Sequence, residues 1–510
     1  MYPLGLLPLL QAWIPDYAAV KLSIALPGII LLALLWSLAE NQEEDDTTPT
    51  VLPLSGLSTI WPFFKSRFDF LARGFQLTGR SIFQFNLLQN TVVVVSGESG
   101  RNDFFSCRGL DINEGFKVLS GAIPMLPGIT SDLQARRIAL IHKRLAAAQN
   151  SDRLTRLLPQ ILGDAERVIC SWGYPGTIDP FSHMPALLFQ TTVRSLSCHE
   201  IADDAALVAR LRKLYDRLDS STTPASVLLP WFPSPSMLSK LYASKQVYDI
   251  VNGAINARVQ SGVSRDDTLQ MLVDHGDDKL VIVGFIMGLL VAGARSTGTT
   301  ASWMTTCLGG HPEWKHKARA EVRALLSDCS AGNVASSSLK EQLAAIPLEA
   351  WEDHTPVLDK IIRETLRLAQ PHTAMRRNVG PETYINGMRI PSGAYVVYPF
   401  SDVHLNSTLY PDPWRFDPNR SDRVAHYEYV GWGGGKTVCL GQRLAKLQLK
   451  LIAAMLLLKF DFILVDVNGR TPNPLPRPNW NDTLTCKPPI GSCYLQFQSI
   501  SEGKIEKDGP

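Results

Sequence analysis

The segment Trp432-Gly-Gly-Gly-Lys-Thr-Val-Cys439-Leu-Gly441, followed at once by the apolar helical pattern Arg443–Leu458, constrains this chain more than any other feature. Three consecutive glycines let a backbone approach other groups more closely than side chains allow. The Gly-Lys-Thr inside invites a phosphate-loop reading. That motif needs a glycine five residues before Gly435, where Val430 stands, and Gly431 is one place off. The helix also begins too late, after Cys439 and Gly441, so the phosphate-loop reading fails on spacing. A metal-bound thiolate accounts for more of the residues. Glycine amides can reach the sulfur, and the positive end of the following helix stabilises an anion at Cys439.

A chain of 510 residues with 50 basic and 48 acidic side chains, net +2, gives no electrostatic ground for a nucleic-acid partner. Its eight cysteines form no Cys-x-x-Cys pair and are scattered, as free thiols in a reducing compartment are. Leu22–Ala39 is uncharged over 18 residues, near the lower limit for a membrane span. Lacking an early basic region, it reads as an uncleaved anchor rather than a signal peptide. No interior linker or repeat appears. The predicted layout is an anchor and acidic linker over 1–48, one domain over 49–500, and a charged tail over 501–510. Strands are expected at Ser81–Leu88, Thr91–Val95, Thr383–Ile390 and Ala394–Tyr398, with a C-terminal hairpin. Helices are expected at Ser131–Ala148, Arg153–Trp172, Asp204–Leu218, Leu238–Gln260, Asp278–Leu308, Pro312–Ser327 and Arg443–Leu458.

Two more motifs precede the cysteine loop. In Glu364-Thr-Leu-Arg367 the charges lie on one helix face, and Pro413-Trp-Arg415-Phe416 follows. In this order the three motifs resemble those of the cytochrome P450 family. The resemblance covers most of the chain after about residue 55 and is tightest from 280 to 460. It implies a mainly helical fold with small sheets, in which haem b lies between a long central helix and the cysteine loop. It implies Cys439 as axial thiolate, with Trp432, Gly435 and Gly441 at the family's aromatic and glycine positions. Glu364 and Arg367 become a buried lock, with Arg415 as its third member. Pro371-His-Thr-Ala-Met-Arg376-Arg377 resembles the segment that gives an arginine to a haem propionate. Arg376 takes that role, with Arg377 and His372 as further candidates. Where the family usually has arginine or histidine two before the cysteine, this chain has Thr437, with Lys436 beside it.

The apolar stretch Val281–Leu308 carries small or hydroxylated residues at 292, 293, 296, 297 and 300, on one helical stripe. Helix packing explains such a stripe as well as ligand approach does. In the family it is the oxygen-binding groove, which makes Ser296, Thr297 and Arg295 the candidate catalytic residues. Arg295 stands at the usual acid, and arginine cannot donate protons at neutral pH. The helix and the glycine triplet are similar to those of sterol 14α-demethylases, but Glu114–Leu126 lacks their Tyr-x-x-Leu-Thr-Thr-Pro signature.

The resemblance implies O2, a small lipophilic substrate (a terpenoid, steroid or polyketide-like intermediate of specialised metabolism) and NADPH–cytochrome P450 reductase. It also implies an endoplasmic reticulum membrane with the domain facing the cytosol. Arg136, Arg137, His142, Lys143 and Arg144, with Arg443, Lys446 and Lys450, form a candidate basic face for the reductase. The apolar loop Leu228–Pro233 is a candidate for dipping into the bilayer. Two other functions stay open on sequence: a haem-thiolate isomerase or lyase working without O2 and reductase, and a non-catalytic haem- or sterol-binding membrane protein.

Overall fold

The computed structural model describes residues 47–54, 56–119, 135–173, 175–229, 232–329, 338–420 and 427–500. The expected anchor over Leu22–Ala39 and the 501–510 tail lie outside the described residues. Eleven strands are present among them: β1 (Thr50–Val51), β2 (Ile82–Leu87), β3 (Asn90–Val95), β4 (Leu110–Asp111), β5 (Gly176–Ile178), β6 (Thr373–Asn378), β7 (Thr383–Ile385), β8 (Met388–Ile390), β9 (Tyr395–Pro399), β10 (Phe460–Val465) and β11 (Tyr494–Ser499). They form a six-stranded sheet in the order β1-β2-β3-β9-β6-β4, a three-stranded sheet β10-β11-β5, and the β7–β8 hairpin. The helices that matter for the site are α1 (Gly56–Lys65), α2 (Arg67–Thr78), α3 (Gly97–Ser106), α4 (Pro180–Leu196), α5 (Ala205–Ser220), α6 (Pro224–Leu228), α7 (Pro235–Ser261), α8 (Lys279–Gly310), α9 (Pro356–Leu368) and α10 (Gln442–Lys459).

The axis of the helical core is α8. The Asp278 carboxylate caps it by accepting from the N–H groups of Leu280 and Val281. Its 32 residues are long and apolar enough to cross a bilayer by composition, yet from Thr297 to Gly309 every residue is buried within the protein. Such a helix is apolar all round because it has helices on several sides. One of those neighbours, α4, is not expected from the sequence, since Pro180 and Pro185 read as helix breakers. Pro180 sits in the first turn, where no amide partner is lost. Pro185 lies inside the helix, which packs along α8 and accepts a bond from Ser302 Oγ at the Pro180 carbonyl, 3.0 Å away. The single strand expected at Thr383–Ile390 is instead the β7–β8 hairpin, folded at Asn386-Gly387 with both φ angles positive.

The Glu364–Arg367 pair holds the helical layer to the loops on the cysteine side. Arg367 Nε and Nη2 donate to the two Glu364 oxygens at 2.8 and 2.7 Å, with both side chains buried. Arg367 also donates to the carbonyls of His404 (2.8 Å) and Pro413 (2.7 Å). The third guanidinium on Glu364 belongs to Arg420, whose Nε lies 3.1 Å from Oε1. This corrects the expectation for Arg415. That side chain is 62% exposed and pairs with Asp417, while its backbone carbonyl receives Arg367 and Arg420.

Breaking a buried ion pair by removing one partner costs about 3–5 kcal/mol, whereas an exposed pair changes stability by about 0.5 kcal/mol or less. Arg420→Ala is therefore expected to lower stability by about 3 kcal/mol, and Arg415→Ala by no more than about 0.5 kcal/mol. Urea unfolding of the two variants checks this, and equal losses would return the role to Arg415.

Candidate functional site

The cysteine loop is built by close approach to α3. Gly434 is extended, a 3-10 turn spans Gly435–Thr437, and the Cys439 N–H closes the loop by donating to the Trp432 carbonyl at 2.7 Å. Gly435 has φ +57°, and a Cβ there would lie 2.3 Å from the Phe105 carbonyl oxygen. No other residue type fits without moving the loop. Trp432 packs on the helical core, and Gly441 forms the N-cap of α10.

Cys439 is exposed, as are its aliphatic neighbours Val438 and Leu440. Surrounding protein nevertheless desolvates the thiol and raises its pKa, while the Gly441 N–H bonds the sulfur and lowers it. Cys170 is exposed as well, and Cys107 and Cys329 are half-buried. Cys198, Cys307, Cys486 and Cys493 are buried. Cys493 packs against Thr306 Oγ1 at 3.4 Å, with its thiol pushed up to about 12 by burial.

Strand β6 brings Arg376 to this loop. Gly115, in the helix Ile112–Leu119, lies so near that a Cβ would come 2.2 Å from the Arg376 Cα. The guanidinium donates to the Phe104 carbonyl and, at 2.6 Å, to Thr437 Oγ1, and it lies over the Phe104 ring at 4.4 Å. Burial lowers its pKa to about 10, so it stays charged at neutral pH, and among the described residues it has no ion-pair partner. Sequence reasoning missed Thr437 as its partner. Arg377 instead donates to the Gly393 carbonyl at 3.1 Å, and Lys436 is exposed.

Within the small-residue stripe of α8, Ala292 and Ser296 are exposed and Gly293 is half-buried; Thr297 and Thr300 are buried. Ser296 Oγ donates to the Ala292 carbonyl at 3.1 Å, and Thr300 Oγ1 to the Ser296 carbonyl at 2.8 Å. Arg295 is about 100° around the helix from Ser296. Its guanidinium pairs with Asp219 of α5, one turn beyond Asp216, beside a cavity of about 270 Å³ lined also by Tyr215, Phe181 and Lys487. Desolvation lowers Arg295 to about 10, opposed by the charge of Asp216, so it remains a cation. The expected oxygen-side arginine is thus tied to another helix by an acid that the local motif gave no reason to choose.

The basic face expected around α10 is largely consumed by internal pairs. Arg144 binds Asp277 (2.6 Å), Arg443 binds Glu352 (2.5 Å), and Lys446 and Lys450 both reach Asp359 (3.5 and 2.9 Å). His142 and Lys143 remain exposed; the side chains of Arg136 and Arg137 lie outside the described residues.

The lock and the loop communicate through His404. Its Nε2 accepts from the Val430 N–H at 3.1 Å, two residues before Trp432, and its own carbonyl receives Arg367. Desolvation, with the charges of Arg367, Arg363 and Arg101, holds its pKa well below the usual 6.5.

A family model described as Cytochrome P450 matches residues 188–490. Similar proteins include the cytochrome P450 monooxygenase nsrP of Aspergillus novofumigatus, 30% identical over 403 residues, covering 76% of this chain and 78% of the relative. The cytochrome P450 monooxygenase AacuE of Aspergillus aculeatus is 29% identical over 447 residues, 84% and 88% of the two chains. Lanosterol 14-alpha demethylase of Homo sapiens is 27% identical over 430 residues, 81% of each. Among solved structures, retinoic-acid-bound cyanobacterial CYP120A1 matches with a TM-score of 0.70 and 22% identity, covering 89% of this chain and 99% of that one. At that identity the likeness speaks for the fold.

Because the unfolded chain takes up a proton that folded His404 refuses, its contribution to stability is complete above pH 6.5 and declines as the pH falls below it. Melting temperature is expected to drop between about pH 7.5 and about pH 5.5, and to drop less in His404→Gln, whose amide oxygen still accepts from Val430. Equal slopes for the two proteins would refute this assignment.

Proposed function

The chain belongs to the cytochrome P450 family, and from that premise we propose which of its residues hold the cofactor, handle protons and meet substrate, partner and membrane. It is a haem-thiolate monooxygenase that uses O2, a lipophilic substrate and a redox partner. Haem, when bound, would supply the activation of O2, so that one oxygen atom enters the substrate and the other leaves as water, with two electrons and two protons from outside.

We assign the thiolate that would hold the haem to Cys439. The observation that carries this is an exposed sulfur at the start of α10, in a loop closed by the Cys439 N–H on the Trp432 carbonyl, where the Gly441 N–H works against desolvation of the anion. A bare thiolate is disfavoured there, and a metal ion's charge would make it the stable form. The donor set fits the rest of a haem. Val438 and Leu440 offer accessible aliphatic surface for a flat apolar ring. Arg376, buried, charged and without an acid, would take a propionate beside Thr437. Trp432, Gly435 and Gly441 shape the loop, and Lys436 is too exposed to hold a buried group.

Ser296 is the hydroxyl we assign to hold and pass on a proton. Its bond to the Ala292 carbonyl uses its hydrogen and leaves its oxygen open to accept. Thr297, buried beside it, is the second hydroxyl we assign to this role. Arg295 keeps its charge and acts as a positioning residue that ties α5 to α8.

Residues 49–500 are taken as one catalytic domain and 1–48 as an anchor and linker, on the endoplasmic reticulum with the domain in the cytosol. Supporting a membrane-facing side, Val51 and Trp61 beside α1 and Phe232, Leu238 and Tyr242 at α7 are all about half exposed or more. Helix α6 packs against both α1 and α7, so these residues flank one side. A nitroxide at Phe232→Cys is expected to be more accessible to oxygen than to a water-soluble collider when liposomes are added; the reverse order would refute this face. The substrate class proposed is a terpenoid, steroid or polyketide-like intermediate, supported by the fungal monooxygenases among the relatives. NADPH–cytochrome P450 reductase is the proposed electron donor.

Cys439→Ala is expected to abolish the reduced carbon monoxide band of a thiolate-bound haem, while Cys493→Ala keeps it. Persistence of the band in Cys439→Ala would remove the assignment. Arg376→Ala is expected to weaken haem retention roughly 10–100-fold, measured by haem transfer to apomyoglobin. NADPH consumption with reductase should rise on adding substrate, and product formed without reductase would refute the proposed partner.

A further inference from the structure

The ion pair between Arg295 of α8 and Asp219 of α5 stands beside a cavity of about 270 Å³, which α4 and the loop carrying Thr485 and Lys487 also line. Each partner keeps about a quarter of its side chain exposed, so the pair is within reach of solvent. Among the described residues, the other titratable groups around the cavity are Arg212, Tyr215 and Asp216 of α5 and Lys487 of the loop. Helix α4 adds the Ser182 hydroxyl to apolar walls. Charges of both signs and several hydroxyls suit this space to water, and its volume admits several molecules.

One side chain in the wall has no answer within the protein. Along α8 the hydroxyls of Ser296, Thr300, Ser302, Thr305 and Thr306 each donate to the carbonyl four residues earlier. Thr299 lines the cavity and is only 9% exposed, yet among the described residues its hydroxyl has no hydrogen-bond partner. Burying a hydroxyl without a partner costs free energy, and cavity water is the group at hand to satisfy it. Thr299 is also the cavity residue nearest Ser296 around the helix. It lies about 60° from Ser296, against about 100° for Arg295. Side chains three residues apart stand about 5–6 Å from each other, a gap that one water spans with two hydrogen bonds.

A lipophilic substrate held against Ser296 excludes water from its own side, so protons must reach that hydroxyl along another face of α8. The guanidinium of Arg295 cannot give them at neutral pH. Resting on the reading of Ser296 as the hydroxyl that passes protons, we propose that Asp219 is the acid that resupplies it, through cavity water and the Thr299 hydroxyl. Ser296 gives up its hydrogen and takes one from the water that bridges to Thr299. Each donor along the line is refilled by the next, back to the Asp219 carboxyl, which takes its proton from solvent. The net change is one proton moved inward; no electron moves and no other bond is altered. The acid that α8 lacks at position 295 is thus supplied by the helix across the cavity, and Arg295 holds it there.

Two measurements on the haem-loaded full chain test this. A crystal structure is expected to show water within hydrogen-bond distance of Thr299 Oγ1 and onward to Asp219, and Thr299→Val to lose the first of these molecules. A dry cavity, or an apolar molecule filling it, would overturn the route. The second measurement follows NADPH consumption with reductase and progesterone as a lipophilic probe, in H2O and in D2O. Asp219→Asn is expected to slow it about 100-fold and to raise the H2O/D2O rate ratio, while Asp219→Glu keeps most of the rate. Asp219→Asn also removes the tie between the helices, so it is repeated in Arg295→Gln, where that tie is already gone. A further loss of about the same size is expected there; no further loss would leave Asp219 a structural partner and refute the proposal. A wild-type rate in Ser296→Ala would overturn the reading of Ser296 and this route with it. A slow Ser296→Ala beside a wild-type rate in Asp219→Asn would overturn the Asp219 route alone.

Discussion

The Glu364 carboxylate, with Arg367 and Arg420 upon it, is the constraint from which the cysteine side of the molecule hangs. Two charges taken out of water are costly unless their geometry and remaining hydrogen bonds are good. Here both carboxylate oxygens are used, the Asp417 N–H adds a further bond at 3.0 Å, and Arg367 spends its other donors on loop carbonyls. The pair therefore fixes backbone rather than merely filling the interior. Through the His404 carbonyl and ring it reaches Val430, and through the loop closed at Trp432 it reaches Cys439. A ligand that must meet a metal within a few tenths of an ångström needs such a frame.

What the sequence made legible follows from how local each signal is. Cys439 with its glycines, the Glu364–Arg367 spacing and the small stripe of α8 are all contained within about ten residues, so their periodicity could be read directly. Partners brought by the fold could not. Arg420 replaces Arg415 because the chain turns between them, so the nearer arginine faces solvent and the farther one returns to Glu364. Thr437 was read as the loss of a basic residue, yet in the cysteine loop it accepts from Arg376 of β6. Helix α4 was hidden by its prolines and by burial on several sides, which erases the amphipathic pattern.

Charge placement separates structural cations from functional ones more clearly than charge count does. Arg258 meets Glu200 and Asp267, Arg194 meets Asp164, and Lys450 meets Asp359. The same holds for most of the basic residues near α10 that looked like a partner's footprint. Their paired acids come from other helices, so a run of arginine and lysine along the chain said little about the field outside. Arg376 is the contrasting case: it is buried and stacked on phenylalanine, with no acid in contact among the described residues. It keeps its charge, because a guanidinium lowered to about 10 is still protonated at neutral pH.

That contrast also bears on Arg295, where the family's usual acid is replaced by a base. An arginine facing the reacting groups would place an unpaired cation beside the hydroxyl of Ser296. The pairing with Asp219 prevents this by turning the charge toward α5 and neutralising it there. The consequence is mechanical as well as electrostatic. Helix α5 forms a wall of the cavity beside α8, and a polar tie between the two holds that wall where apolar contacts such as Tyr215 and Phe189 leave room to slide. Tyr215 adds a second tie, its hydroxyl donating to the Met287 carbonyl at 3.1 Å two turns earlier on α8. With α5 fastened at two heights, the position of the wall is set by Arg295 and Tyr215 and not by Ser296, so the reversed charge at 295 need not disturb the hydroxyl next to it.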